Sequence, residues 1–314
     1  MIMKPIIITG CQRSGTTLLR TLLGNHPDLI EHPQEPQFIL ELYQRFGLQI
    51  ADVKTAVSYL IHHPYLPSSI NKDGLTQAFS DQTSLTLAEF IQRYLRCWAG
   101  DALLTKRPVI KDPAFIFHLD LIEKLFPEAT VMHIIRDPRA AVASQIVRWP
   151  QLSTVECAML WCNALQSAKK WSQSSQQPYI EVHYEQLLQQ PSETLQMLCH
   201  KLDIPYQATM QNFTQETTVF KPNAEPEPRT LTAVDPSRLH GWQDHLTSFD
   251  IQLIEQCCQQ EMAQWQYEPT SLPLPTLRFS LWKIGQHSKY YVKQIGKTVK
   301  STVRQAGWRI GRRS

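Results

Sequence analysis

Gly10-Cys11-Gln12-Arg13-Ser14-Gly15-Thr16-Thr17 stands between an apolar run, Ile6-Ile7-Ile8, and a leucine-rich stretch that starts at Leu18. The apolar run predicts a buried parallel strand from Ile6 to Thr9. The spacing after the loop predicts a helix from Thr16 to Gly24. A glycine-rich loop that joins a strand to a helix presents backbone N–H groups to an anion, so this stretch predicts a phosphate-binding site.

The loop has the G-x-x-x-x-G frame and the final Thr17 of a Walker A loop, but Thr16 stands where that loop has its lysine. That lysine reaches the β- and γ-phosphates of a nucleoside triphosphate. Its absence argues against ATP, while Arg13 inside the loop supplies a positive charge. The combination favours an activated sulfate donor.

Strands and helices alternate along much of the remaining sequence. Further strands are expected at Val109–Ile110, Thr130–Ile135 and Tyr179–Val182. Helices are expected at Leu119–Phe126, Pro138–Arg148, Thr154–Ser172, Ser192–Leu202 and Ser248–Gln264. This order predicts an α/β protein with a doubly wound parallel sheet and a phosphate-binding loop, whose ligands bind at the carboxyl ends of the strands.

The domain plan follows from composition. Residues 1–268 are expected to form one domain, mostly helical over 31–108 with a loop near 64–74, and with an irregular, lid-like segment at about 205–246. A proline-rich linker is expected at 269–277. Residues 278–314 contain ten Lys or Arg and no Asp or Glu, although the whole chain has a net charge of only +3. This segment is predicted to be a basic amphipathic tail.

The tail fits a helix on an anionic membrane surface, but packing against the acidic body or a solvated tail remain open alternatives. Nucleic acid is not expected, because the body has no matching basic patch. The seven cysteines show no C-x-x-C pair or zinc spacing, and the first residues do not resemble a signal peptide. A cytoplasmic protein is therefore expected, with peripheral membrane contact as an alternative.

A second basic cluster follows the strand at Thr130–Ile135. Arg136 ends that strand, and Ser144 lies about two turns into the next helix, so both side chains are expected to face the same crevice. The plainer interpretation of Arg136-Asp-Pro-Arg139 is a helix cap with solvated arginines. Two anion sites at two strand ends favour a nucleotide with phosphates on its 5′ and 3′ sides.

Several ordered motifs together resemble one family. They are Arg13-Ser-Gly-Thr-Thr-Leu-Leu-Arg20, His26-Pro27, Glu35-Pro36, Lys111-Asp-Pro113, Leu125-Phe-Pro127, Arg136-Asp-Pro-Arg139 with Ser144, and His183-Tyr-Glu-Gln-Leu187. Over roughly residues 5–205 the chain resembles sulfotransferases that use 3′-phosphoadenosine 5′-phosphosulfate (PAPS), most of all the tyrosylprotein sulfotransferases and their bacterial relatives.

The resemblance implies PAPS as co-substrate and assigns a donor site. Its phosphosulfate loop corresponds to Arg13, Ser14, Gly15, Thr16 and Thr17, and its 3′-phosphate pair to Arg136 and Ser144. Arg148 and Tyr184 correspond to further nucleotide contacts. The basic residue that the family has before a lid tryptophan is replaced by Gly241 here, so Arg229 or Arg238 are candidates to substitute for it.

The resemblance also implies catalytic residues. Glu35 corresponds to the general base, while Lys111 and Arg13 correspond to the groups that stabilise charge. Glu35 as a simple helix cap, Glu31 as a lesser candidate for the base, and Lys111 as a surface lysine remain open. No metal is expected, because no carboxylate pair is well placed to hold Mg²⁺.

The acceptor stays open among a peptide, a glycan, a lipid and a small metabolite, and the oligomeric state is unknown. Two other functions remain as alternatives. One is a small-molecule kinase with a phosphate-binding loop, and the other is a non-enzymatic protein of this fold that binds a nucleotide or a membrane.

Overall fold

A computed structural model describes residues 3–212 and 239–270 of the chain. Its centre is a five-stranded parallel sheet with the order β2-β5-β1-β6-β7. The strands are β1 (Ile6–Thr9), β2 (Leu29–Glu31), β5 (Arg107–Lys111), β6 (Thr130–Ile135) and β7 (Tyr179–His183). Two short strands, β3 (Gln49–Ile50) and β4 (Leu85–Thr86), form a separate antiparallel pair. The predicted α/β fold with a parallel sheet is confirmed.

Helices pack against both faces of the sheet. They are α1 (Thr16–Gly24), α2 (Phe38–Phe46), α3 (Val53–Ile61), α4 (Lys72–Ala78), α5 (Leu87–Ala99), α6 (Leu119–Leu125), α7 (Pro138–Arg148), α8 (Thr154–Ser172), α9 (Tyr184–Gln189), α10 (Pro191–Leu202), α11 (Ser248–Cys257) and α12 (Gln259–Gln264). In the described part of the chain, none of these helices has the length and apolar character needed to cross a bilayer.

The two faces of the sheet pack against different helices, because successive side chains of a strand point to opposite faces. Ile7 of β1 joins a large core with α5, α7 and α8, whereas Ile6 and Ile8 join a second core with α1 and α10. All three isoleucines are fully buried. Burial on both faces explains why β1 is a continuous apolar run.

Some predicted elements need correction. The stretch predicted as one helix at Ser248–Gln264 is two helices that meet at Cys258. The loop expected near 64–74 ends earlier, because Asn71 caps a helix that begins at Lys72. The short strands β2, β3 and β4 lie next to or within the stretch expected to be mostly helical, and strands of two or three residues have too little periodicity to be recognised.

The sheet topology determines where the site forms. Central strand β1 pairs in parallel with β5 on one side and β6 on the other. The carboxyl ends of all three strands therefore meet at one edge of the sheet. The loop after Thr9, the side chain of Lys111 and the turn that starts at Arg136 share that edge.

Candidate functional site

The loop between β1 and α1 is tightly turned. Arg13 and Gly15 have φ angles of 70° and 96°, and Gly15 is the N-cap of α1. A Cβ atom on Gly15 would lie within 2.6 Å of two ring carbons of Tyr184. Glycine is therefore needed here both for its left-handed backbone and for its lack of a side chain. Tyr184 is in turn placed against the loop because α9 begins directly after β7.

Side chains of α7 and of Arg136, which lies just before that helix, hold the loop by hydrogen bonds. Arg13 Nε donates to Ser144 Oγ at 3.0 Å, and Arg136 Nη1 donates to the carbonyl oxygen of Arg13 at 3.0 Å. Gln145 Nε2 donates to the carbonyl oxygen of Gln12 at 2.9 Å. The residues predicted for the 5′ and 3′ phosphate groups are thus brought together into one continuous basic site.

Arg136 is held from two sides. Its guanidinium lies 4.4 Å from the ring centre of Tyr184, and its carbonyl oxygen accepts a hydrogen bond from Trp161 Nε1 at 2.9 Å. Stacking on an aromatic face fixes the plane of a guanidinium while leaving it cationic. Arg148 is different, because it is exposed in the last turn of α7 and its guanidinium lies 6.0 Å from the ring of Trp149.

The side chains of the loop suit an anionic ligand. Ser14 is fully buried, and its Oγ has no hydrogen-bond partner among the described residues. Thr16 and Thr17 open α1, where N–H groups of the first turn lack partners within the helix. No acidic residue lies in that first turn. A phosphate or sulfate group at this helix end would supply the missing acceptors.

Lys111 and Glu35 form the second part of the site. Lys111 Nζ lies 2.5 Å from Glu35 Oε1 and donates to Thr17 Oγ1 at 3.2 Å. The lysine side chain is 3% exposed and the glutamate side chain 14% exposed, so Lys111 is not a surface lysine. Glu35 is not the helix cap either, because α2 begins at Phe38 with Gln37 at the N-cap position.

Glu31, the lesser candidate for the base, has a different partner. Its Oε2 lies 3.2 Å from Nε of Arg20, whose side chain is fully buried in α1. Burial raises the pKa of Glu31, while the charges of Arg20 and Lys111 act in the opposite direction. The structure therefore pairs Glu31 with the buried arginine of α1.

Sequence reasoning missed several residues that hold the site. Gln145 is fully buried beside the loop, but a glutamine within a helix carries no motif signal. Glu185 accepts a hydrogen bond from the backbone N–H of Asp137 at 2.9 Å. Arg139 lies over the ring of Trp242 at 4.9 Å and pairs with Glu255 at 2.7 Å. Each of these contacts joins residues far apart in sequence, so only folding reveals them.

Other predictions fall outside the described residues. These predictions concern Arg229, Arg238, the linker beyond residue 270 and the basic tail at 278–314. Within residues 3–212 and 239–270, no cluster of three or more His, Cys, Asp or Glu side chains is arranged to hold a metal ion.

Fold and site together define an α/β protein with an anion-binding loop at the carboxyl edge of a parallel sheet. A model of the sulfotransferase family matches residues 5–208, more than half of the chain. The chain therefore belongs to the sulfotransferase family and is an enzyme that transfers sulfuryl groups. The resemblance seen in the motifs is confirmed.

Individual relatives are distant. The chain is 26% identical over 231 residues to a protein-tyrosine sulfotransferase of Drosophila melanogaster, with 71% of this chain and 42% of that protein covered. It is 26% identical over 217 residues to protein-tyrosine sulfotransferase 1 of Danio rerio, with 65% and 54% covered. The chain thus spans about half the length of these relatives.

Solved structures agree in fold. The sulfotransferase domain of the olefin synthase from Synechococcus PCC 7002 superposes with a TM-score of 0.60 at 20% identity. The match covers 87% of this chain and 97% of that domain. The sheet and its surrounding helices therefore follow the sulfotransferase fold.

Proposed function

We propose that this enzyme moves the sulfuryl group of PAPS to a hydroxyl or amine of an acceptor and releases adenosine 3′,5′-bisphosphate (PAP). The observation that carries the proposal is the position of the Lys111 ammonium group. It contacts Glu35 and also Thr17, which belongs to the anion-binding loop. One side of this group faces the predicted donor loop, and the other faces the predicted base.

On the donor side, Arg13 and the N–H groups that open α1 would bind the oxygens of the phosphosulfate. Arg136 and Ser144 would bind the 3′-phosphate, which is absent from ADP and ATP. Burial of Ser14 and Thr16 limits access of water to this loop. A preorganised ring of donors and cations stabilises charge that develops during transfer without reorganising at the moment of reaction.

On the acceptor side, Glu35 would accept the proton of the attacking hydroxyl or amine. A bond forms between the acceptor atom and sulfur as the bond between sulfur and the bridging phosphate oxygen breaks. Lys111 would stabilise the negative charge that develops on that oxygen as PAP leaves. Such a transfer depends on an in-line geometry and on positive charge around the transferred group, as phosphoryl transfer does.

Thermal-shift measurements test the donor. We expect PAP to raise the melting temperature without Mg²⁺, and ADP to do so less at equal concentration, because Arg136 and Ser144 then lack a 3′-phosphate. Arg136→Met should remove the difference between PAP and ADP. Stabilisation by ATP alone, only with Mg²⁺, would contradict the proposal and favour the kinase alternative.

The acceptor is sought with radiolabelled PAPS against peptides with tyrosine, glycans, lipids and small hydroxylated metabolites. The relatives in Drosophila melanogaster and Danio rerio carry the name protein-tyrosine sulfotransferase. Peptides that contain tyrosine are therefore the first class of acceptor to test. Glu35→Gln serves as the negative control in every arm, because transfer that persists in this variant does not come from the proposed site.

Membrane contact and a cytoplasmic location remain proposals based on charge and composition. The ten basic residues of 278–314 would bind anionic lipids through their charge. Sedimentation with phosphatidylserine vesicles, compared with neutral vesicles and at high salt, tests this contact. Equal binding to both vesicle types would contradict it.

A further inference from the structure

We infer that Arg20 and Glu31 are positioning residues for the base of the transfer reaction, with Arg20 holding the segment that carries Glu35 and the pair setting its proton affinity. This inference rests on the proposed function, because it assigns a role to residues around the proposed base.

Arg20 connects α1 to the segment before α2. Its Nη1 donates to the carbonyl oxygen of Pro33 at 3.2 Å, two residues before Glu35. Its Nε lies 3.2 Å from Glu31 Oε2 at the end of β2. The arginine therefore contacts the chain on the amino-terminal side of Glu35 at two points. Loss of the guanidinium would release both contacts.

The cost of burying this arginine indicates a specific role. The side chain is fully buried, and Nη2 has no hydrogen-bond partner among the described residues. Burying a cation with incomplete hydrogen bonding is unfavourable, and an apolar residue could fill the space. What an apolar residue could not supply is a positive charge that interacts with the carboxylates of Glu31 and Glu35.

Gly24 accommodates the pair. A Cβ atom on this residue would lie 2.7 Å from Glu31 Oε2 and 2.8 Å from the carboxyl carbon. The carboxylate of Glu31 thus lies directly against the backbone at the end of α1. The glycine allows it to approach Arg20 from that side.

Glu35 belongs to a group of four charged side chains. Lys111 of β5 contacts it directly. Arg20 of α1 interacts with the charges of both Glu31 and Glu35, and Glu31 of β2 interacts with the charge of Lys111. Burial lowers the pKa of Arg20, whereas the charges of Glu31 and then Glu35 raise it. His32 follows Glu31 in the sequence and is neutral above about pH 4, because burial lowers its pKa to about 4.

The arrangement makes two opposite predictions. Arg20→Met removes a cation near Glu35, so the carboxylate should bind its proton more tightly and the acid limb of the pH–rate profile should move to higher pH. Glu31→Gln removes an anion and leaves the Arg20 charge less balanced, so the acid limb should move to lower pH. We expect each shift to be about half a pH unit or more.

Arg20→Lys separates charge from position. It keeps a cation, so the acid limb should stay near that of the wild type. Its single ammonium group lacks the guanidinium fork that contacts both Pro33 and Glu31, so kcat should fall about tenfold or more, since small misplacements of catalytic groups are costly. The KM for PAPS should change little, because Arg20 lies outside the donor contacts.

Arg107→Met is the matched control. Arg107 also bonds main-chain oxygens, those of Lys4 and Leu202, but it lies at the opposite end of β5 from Lys111. Its loss should lower the melting temperature without moving the acid limb. Shifts of Arg20→Met and Glu31→Gln in the same direction, or no shift in either, would overturn the inference.

A second readout does not depend on turnover. Selective ¹³C labelling of glutamate carboxyl groups, with Glu35 assigned by Glu35→Gln, gives the titration midpoint of Glu35 by NMR in each variant. The midpoints should move as the acid limbs do. If the wild type fails to use PAPS, the proposed function fails. Opposite shifts of the Glu35 midpoint in Arg20→Met and Glu31→Gln would still support the charge coupling in that case, and the absence of such shifts would overturn it. Glu31→Gln remains available if Arg20→Met does not fold.

Discussion

Lys111 Nζ lies 2.5 Å from Glu35 Oε1, although the two residues are 76 positions apart in sequence. Lys111 ends β5, whereas Glu35 precedes α2. A carboxylate that contacts an ammonium is poor at accepting a proton. The proposed donor is an anion that would compete with Glu35 for Lys111, so we expect donor binding to weaken this contact and to leave Glu35 a better base. The contact thus gives a physical reason for ordered use of the two residues.

Glu35→Gln should lower kcat by roughly 10²- to 10⁴-fold, the usual contribution of a general base. Binding of PAP, measured by calorimetry, should change less than about threefold, because the amide keeps the size of the side chain. Glu41→Gln is the control, since Glu41 lies on α2 and contacts Tyr59 and His63 instead. Near-normal turnover in Glu35→Gln would exclude Glu35 as the base.

Gln145→Met should weaken PAP binding by about five- to thirtyfold, which corresponds to the loss of one buried hydrogen bond worth roughly 1–2 kcal/mol. The variant loses the bond from α7 to the carbonyl oxygen of Gln12, so the loop is less well held before the ligand arrives. Gln177→Met is the control, because Gln177 makes a similar bond to Phe126 at the other end of the sheet. Equal effects in both variants would indicate a general loss of stability.

Gly15→Ala should abolish PAP binding and lower stability by roughly 2 kcal/mol or more, because the new Cβ collides with the ring of Tyr184 and the φ of 96° is strained for alanine. Gly47→Ala is the matched control, with a φ of 74° and open space around its Cβ position. Denaturant unfolding and PAP titration of both variants separate backbone strain from the steric clash. A variant Gly15→Ala that binds PAP normally would contradict the model of a tightly packed loop.

Two buried histidines predict how stability depends on pH. Burial lowers the pKa of His133 to about 3, with His183 contributing, and lowers the pKa of His32 to about 4. In the unfolded chain both bind protons near pH 6.5. Below that pH the unfolded state binds more protons than the folded state. The free energy of unfolding should therefore fall as the pH is lowered, by about 1.4 kcal/mol per pH unit for each histidine between about pH 6 and 4.

Urea unfolding at several pH values checks this dependence. His133→Gln should reduce the slope by about one proton. An unchanged slope in His133→Gln would mean that the ring is protonated in the folded protein. His133 Nδ1 lies 2.7 Å from the hydroxyl of Tyr179, so the substitution also tests that contact.

Much of the sheet could be predicted from local pattern. The bounds of β1, α1, β6, α7 and α8 match the structure, because each combines strong apolar periodicity with a clear cap or turn. The break at Cys258 between α11 and α12 was not predictable, since nothing in the periodicity marks it. The pair β3 and β4 depends on residues 35 and 37 positions apart, a relationship that a local window does not contain.

The candidate site was predictable as a list of residue types but not as a set of contacts. Arg13, Lys111 and Arg136 are suggested by motifs at strand ends. Gln145, which bonds the loop carbonyl of Gln12, and Arg20, which contacts Glu31 and Pro33, lie within helices, where their roles as supporting residues carry no local signal. A motif reports which chemistry is available, whereas packing determines which side chains hold it in place.

By itself, the sequence determined the family, the main strands and helices around the site, and the glycine-rich loop, because these depend on neighbours within a few residues. Only the tertiary structure decided that Lys111 contacts Glu35, that Arg13 bonds Ser144, and that Arg20 pairs with Glu31. Parallel pairing of β1 with β5 and β6 brings the ends of distant segments to one edge. These contacts therefore form only when the whole sheet has folded, and a local sequence pattern does not predict them.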